Sequence, residues 1–202
     1  MTTGVKAAVI PIHRGAMKAG TLSDEALVAA CATGDAQALA QLFDRLCDDV
    51  ARLLGRLAHV DAQDVPDLVQ EVFLAVFQNA HRYERRAGVK TWVLAIAGNL
   101  ARARTRKIVR GRKAKDELER ALEAPQASTP EEEVITADLV QRLVDPLAAL
   151  PHDLEVAFLL CDVEELPGVE VAAALGVPKG TLYRRLHEAR RRLRAALEGG
   201  VE

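Results

Sequence analysis

The stretch Glu170-Val-Ala-Ala-Ala-Leu-Gly-Val-Pro-Lys-Gly-Thr-Leu-Tyr-Arg-Arg-Leu-His-Glu-Ala-Arg-Arg-Arg-Leu-Arg194 decides the fold. Val171, Ala172 and Leu175 sit at helical spacing on a short helix, and Gly176 supplies the backbone freedom to end it. Pro178 cannot continue that helix but suits the start of another. There Leu182, Leu186, Ala189 and Leu193 recur at spacings of four, three and four. Off this stripe stand Lys179, Arg184, Arg185, Arg190, Arg191, Arg192 and Arg194, with Glu188 the single acid. The pattern predicts a helix-turn-helix whose second helix offers cations to phosphates and base edges. A basic amphipathic helix alone is as often a solvated face. The short helix before it, with Ala172 and Gly176 four apart, turns the reading to DNA binding.

The formal charge of -2 over 202 residues conceals a strong segregation. Residues 82 to 115 carry 12 basic and 1 acidic side chains, 116 to 170 carry 2 and 15, and 171 to 195 carry 7 and 1. Two basic blocks flank an acidic one, which predicts two separate contacts with a polyanion and an intervening part that avoids it.

The N-terminal half reads as helices. Ser23 caps a helix with Leu27 and Val28 inward, and Gly34-Asp35 closes it and opens the next. Leu39, Leu42, Phe43, Leu46, Val50, Leu53, Leu54 and Leu57 keep a helical period, as do Val65, Leu68, Val69, Val72, Phe73, Val76 and Phe77 after a turn over 59–63. The opposite face of this last helix holds Asp67, Glu71, Leu74 and Gln78, where Leu74 hints at a partner surface. A charged loop, His81 to Gly88, follows. Val89, Val93, Ile96, Ala97 and Leu100 then face a core while Thr91, Asn99, Arg102 and Arg106 lie along another side. Asn and Arg side chains make bidentate contacts to base edges, and Tyr83 and Trp92 are candidate stacking platforms, although Trp92 taken alone reads as core. Lys107 to Lys115 continue as a basic tail.

The segment 124–133, with Pro125 and Pro130, has linker composition. A separation of roughly 20 to 25 residues reaches about 65 to 90 Å when extended. Leu139, Leu143, Leu147 and Leu150, then Pro151 and Val156, Leu159 and Leu160, begin a second helical module that the helix-turn-helix completes. With no period-2 run long enough for a sheet, the expected fold is all-α, two small helical domains joined by a flexible linker.

Several classes are excluded. Cys31, Cys47 and Cys161 form no Cys-x-x-Cys pair and read as buried thiols in a reducing cytoplasm, and no histidines are paired at helical metal-site spacing. No metal or cofactor is implied. Residues 1–20 are broken by Pro11, His13 and Arg14 before any secretory core develops and read as a disordered extension. No run reaches the roughly 18 apolar residues of a membrane span. A response regulator with a helix-turn-helix output domain is the alternative for 170–194, but its receiver domain requires alternating strands and helices that 22–110 lack. An enzyme requires a convergent set of acids, bases or ligands, and none is found.

In this order the segments resemble a bacterial sigma factor of the extracytoplasmic-function (ECF) group of the sigma-70 superfamily, over about Leu22 to Leu197. Asp67-Leu-Val-Gln-Glu-Val-Phe73 resembles region 2.2. Thr91-Trp-Val-Leu-Ala-Ile-Ala-Gly-Asn-Leu100 is similar to regions 2.3 to 2.4. Leu150-Pro151, Val171-Ala-Ala-Ala-Leu-Gly-Val177 and Gly180-Thr-Leu-Tyr-Arg-Arg-Leu186 resemble region 4. The resemblance implies region 2 over 21–112, a linker over 113–135 and region 4 over 136–198. It implies core RNA polymerase as a partner, through the beta-prime clamp helices at Asp67, Gln70, Glu71 and Leu74 and through the beta flap. It implies promoter DNA as a second partner. The minus-10 element would meet Arg82, Tyr83, Arg85, Arg86, Lys90, Trp92, Asn99, Arg102 and Arg106, with the loop from Arg82 to Lys90 holding a flipped base. The minus-35 element would meet Lys179, Gly180, Thr181, Tyr183, Arg184, Arg185, His187 and Arg190. An anti-sigma factor is a further implied partner. Two departures stand out: Leu94-Ala95 replaces the Tyr-Arg frequent in region 2.4, and Glu165-Leu166-Pro167 stands where many members have Gly-Leu-Ser.

Overall fold

The computed structural model describes residues 22–58, 60–120 and 146–198, the side chains of 105–120 excepted. The N-terminal extension, the proline-containing linker, Leu139, Leu143 and the Arg106 side chain therefore lie outside the described residues. Within them every regular element is helical.

The first module has four helices. Ser23 Oγ accepts from the Ala26 amide to start α1, Asp24–Ala32. Gly34, at φ 91°, turns the chain, and the Asp35 carboxylate accepts from Gln37 and Ala38 to start α2, Ala36–Arg56. Pro66 sits in the first turn of α3, Val65–Asn79, where its missing N–H costs nothing. The fourth helix, α4, runs Val89–Arg120, past the boundary expected at 112. Leu42, Leu53, Leu54 and Leu68 are fully buried between these helices, each contributing roughly 2 kcal/mol, and Phe43 packs on Phe73 at 4.8 Å between centroids. Cys31 is buried as expected, but Cys47 and Cys161 are only half-buried.

In the second module α5, His152–Phe158, widens into a π turn over Leu159–Val163, closed by the Glu164 amide donating to the Leu159 carbonyl at 2.8 Å. The helix-turn-helix follows as α6, Gly168–Ala174, and α7, Lys179–Glu198. Gly176 takes φ 67° in the turn, and Leu182, Leu186, Ala189 and Leu193 are buried as the stripe required.

The two modules are not separate beads. Val156, Ala157, Leu159, Leu160, Val171, Ala172 and Leu182 of the second join one continuous apolar cluster with the first. The helix between them is α4. Thr91, expected on an outer side, is 2% exposed, and Leu94, Ala95 and Ala101 are buried with the expected Val89, Val93 and Ala97. A single apolar stripe serves a helix with one neighbouring layer; α4 is covered by α2 and α3 on one side and by α6 on another. At Gly98 the approach is so close that a Cβ would lie 2.9 Å from Val156 Cγ1.

Candidate nucleic-acid interface

On the helix-turn-helix, Lys179, Gly180, Tyr183, Arg184 and His187 are exposed along α7, and Thr181 is half-buried. Tyr183 is 51% exposed, its hydroxyl lying over the start of α6, where a Cβ on Gly168 would meet it at 3.2 Å. Two expected readers point elsewhere. Arg185 donates to Asp153 at 2.8 Å. Arg190 makes two hydrogen bonds to Asp162 at 2.7 and 2.5 Å, which raise its pKa and tie it to the π turn. Nor are Arg191 and Arg192 free cations: both donate to Glu188, whose carboxyl they pull down to about 2.

In the first module, Arg82, Tyr83, Arg86 and Trp92 line one open cavity of about 130 Å³ with Glu84 and Ala87. Trp92 is neither core nor free platform: half-buried, it packs against Tyr83 at 5.1 Å and 44° between ring planes. The Tyr83 hydroxyl donates to the Ala87 carbonyl at 2.7 Å, fixing the loop, while Arg85 turns it with φ 57°. Arg82, Arg85 and Asn99 are exposed, and Arg86 pairs with Glu84 at 2.7 Å. Ala173 and Ala174 of the helix-turn-helix form the remaining wall.

The other minus-10 candidates are engaged. Lys90 Nζ lies 3.1 Å from Asp49 and 3.9 Å from Glu164, and Arg102 pairs with Asp153 at 2.9 Å. Thr91 Oγ1 donates to Glu170 at 3.2 Å, so it contacts the second module. On α3, by contrast, Asp67, Gln70, Glu71 and Leu74 share an exposed face, Leu74 at 55%. Arg104 of α4 reaches this side, 2.8 Å from Asp64 and 3.5 Å from Glu71.

Sequence reasoning missed the partners of these cations. Asp153, Asp162 and Glu164 come from the acidic block, as does Glu170, which takes the Gly88 amide and Thr91. That charge count was the available signal; what it lacked was the fold that brings the acids onto the basic blocks. Glu155 is fully buried and accepts from the Ala58 amide at 2.7 Å. Burial pushes its carboxyl up to about 7, opposed by that hydrogen bond. His152 Nδ1 lies 3.8 Å from it, and His152 Nε2 lies 2.9 Å from the Gly98 carbonyl oxygen. Among the described residues no helix is long and apolar enough to cross a membrane.

Comparison with known proteins assigns both halves. Residues 42–111 match the family described as sigma-70 region 2, and 141–193 match sigma-70, region 4. The ECF RNA polymerase sigma-E factor of Haemophilus influenzae is 31% identical over 178 residues, 84% of this chain and 92% of that one. The sigma-E factor of Escherichia coli K12 is 30% identical, with 84% and 91% covered. Among solved structures, CnrH in complex with the cytosolic domain of CnrY superposes with a TM-score of 0.61 at 22% identity, covering 87% of this chain and 97% of that one. The sigma factor RpoE of Bartonella quintana, in complex with the anti-sigma factor NepR, gives 0.58 at 23% identity, covering 78% and 95%.

Proposed function

The chain belongs to the ECF group of sigma-70 factors, which directs transcription initiation by RNA polymerase, and from that premise we propose how the task divides among its residues. The first module, 21–112, uses the α3 face of Asp67, Gln70, Glu71 and Leu74 to dock on the clamp helices of core polymerase. Its loop and α4 capture the melted minus-10 strand, with a base entering the cavity at Tyr83 and Trp92 and phosphates meeting Arg82, Arg85 and Arg86. Asn99, Arg102 and Arg106 continue that track. The second module, 136–198, reads the minus-35 element with Lys179, Tyr183, Arg184 and His187, Gly180 and Thr181 bringing backbone close to the groove. Arg185 and Arg190 take part once released from Asp153 and Asp162.

The observation that carries this reading is the cavity. Two aromatic rings 5.1 Å apart beside Arg82 and Arg86 offer stacking together with phosphate attraction, which is what an unpaired base requires. No catalytic group is needed in this chain, because nucleotidyl transfer belongs to the polymerase and trapping unpaired bases suffices to hold a melted state. The site of action is the cytoplasm, and an anti-sigma factor is its regulator.

Transcription in vitro with purified core polymerase on genomic fragments, with start sites mapped, tests the proposal. The expected result is a set of start sites sharing two sequence elements at fixed spacing. Initiation no different from core alone would refute it.

A further inference from the structure

The contacts between the modules have one direction of charge. Every ion-pairing carboxylate comes from the second module and its cation from the first, while one hydrogen bond runs the other way, from His152 Nε2 to the Gly98 carbonyl oxygen. Asp153 takes Arg102 at 2.9 Å, and Glu164 takes Arg56 at 2.6 Å with Lys90 at 3.9 Å. Glu170 accepts from the Gly88 amide at 2.7 Å and from Thr91, at the start of α4. Glu155 accepts from Ala58. Ala173 and Ala174 wall the cavity beside Trp92. Lys90, Trp92 and Arg102 are three of the minus-10 candidates, and Arg82, Arg85 and Asn99 stay exposed.

We propose that the second module is an intramolecular stand-in for nucleic acid: docked on the first, its carboxylates occupy Lys90 and Arg102 of the minus-10 surface and hold the free chain closed. This rests on the sigma-factor reading above. The docked form cannot serve a promoter. Elements centred at minus-10 and minus-35 lie about 25 base pairs apart, roughly 85 Å of straight duplex, whereas Arg102 of one reader and Arg185 of the other meet on a single carboxylate, Asp153. Opening must precede use. The 25 residues from 121 to 145 are long enough for it, since a chain of that length reaches roughly 85 Å when extended. Docking leaves the α3 face and the outer side of α7 uncovered, so polymerase and minus-35 DNA can engage the closed chain and draw it open.

The full chain carries its own reporter, Trp92, its single tryptophan. Two variants open the molecule by independent means. Gly98→Leu drives a side chain into Val156 without altering charge, in a helix where leucine is the better former. Asp153→Ala with Glu170→Ala removes two of the bridging acids; Asp44→Ala with Glu198→Ala, at exposed positions, is the charge-matched control. Both openers are expected to raise acrylamide quenching of Trp92. They should also tighten binding of a fluorescent 12-nucleotide mixed-sequence single strand about tenfold over wild type and control, the gain expected if about nine molecules in ten are closed. Quenching and strand affinity unchanged in both overturn the proposal. If a variant loses its helical signal, hydrogen exchange of the wild type decides. Protected Ala58 and Gly88 amides, whose acceptors lie across the junction, support docking, and exchange at the unfolded rate overturns it. Failure of promoter-specific transcription would overturn the sigma reading instead, and Trp92 would still report on closure.

Discussion

Glu165 and Gly176 share a left-handed backbone, φ 53° and 67°, but only one of them is a glycine. The conformation costs a residue with a Cβ roughly 1 kcal/mol more than it costs glycine, so opposite substitutions have opposite signs. Gly176→Ala is expected to destabilise by about 1 kcal/mol, although nothing lies within 4 Å of the added carbon. Glu165→Gly is expected to be neutral or stabilising by up to about 1 kcal/mol. Thermal melts of the two compare them directly, and a lower melting temperature for Glu165→Gly contradicts the strain argument. Glu155 gives a pH dependence. Its folded value of about 7 stands above the ordinary 4.5, so between those values the folded molecule keeps a proton that the unfolded chain has released. Stability therefore falls as pH rises through that window, by at most about 3 kcal/mol. Urea midpoints from pH 5 to 8 should slope downward for the wild type and less steeply for Glu155→Gln. His152 belongs to the same pocket, so the difference between the two proteins is the measure. Parallel slopes would remove Glu155 as the source.

At the scale of elements, α7 and α3 carry the tests of function. Arg184 is exposed and makes no ion pair among the described residues, Glu188 one turn on being taken by Arg191 and Arg192, whereas Arg185 is held by Asp153. Arg184→Ala is expected to cost about 1 to 3 kcal/mol of minus-35 discrimination, and Arg185→Ala less. Transcription from promoters mutated at minus-35 distinguishes base reading, where the variant loses nothing further, from phosphate contact, where all promoters lose alike. On α3, Asp67→Lys with Glu71→Lys should change stability by less than about 1 kcal/mol, because these are surface charges and the nearest cation, Arg104, is 3.5 Å from Glu71. The same change should abolish co-purification with core polymerase; unchanged affinity in a folded double mutant would return this face to simple solvation. How much was legible follows the same division. The stripes of α2 and α3 face a single core, and that of α7 is one line shared between two, Leu182 in the common cluster and Ala189 and Leu193 in a second with Leu150, so period alone located them. The stripe of α4 understated its burial, because Thr91, Leu94 and Ala95 meet a second neighbour that only long-range packing supplies. The aromatic cavity was legible as residue types at Tyr83 and Trp92, but its far wall, Ala173 and Ala174, comes from the other end of the chain. The π turn over Leu159–Val163 has no local signature.

For the whole molecule, the continuous core predicts cooperative behaviour that two domains on a tether would not show. Urea unfolding of the full chain, followed by Trp92 fluorescence and by helical circular dichroism, is expected to give coincident transitions. Gly98→Leu should separate them, with Trp92 reporting the first module and the dichroism averaging both. Coincidence that survives the wedge would mean that the modules unfold together for some reason other than the Gly98–Val156 seam. The charge segregation also takes on another meaning, since Asp153, Glu164 and Glu170 of the acidic block meet Arg102, Arg56, Lys90 and the start of α4. Asp153 shows what that entails once the modules part. It belongs to the second module, as does Arg185, while Arg102 belongs to the first. On opening it loses one guanidinium and keeps the other, now without a rival for its two oxygens. Arg185 then remains the one guanidinium on Asp153, and recruiting it to DNA means breaking that pair. On the proposed division of the task, Arg185 therefore reaches DNA only by leaving Asp153, while Arg184 beside it is exposed from the outset.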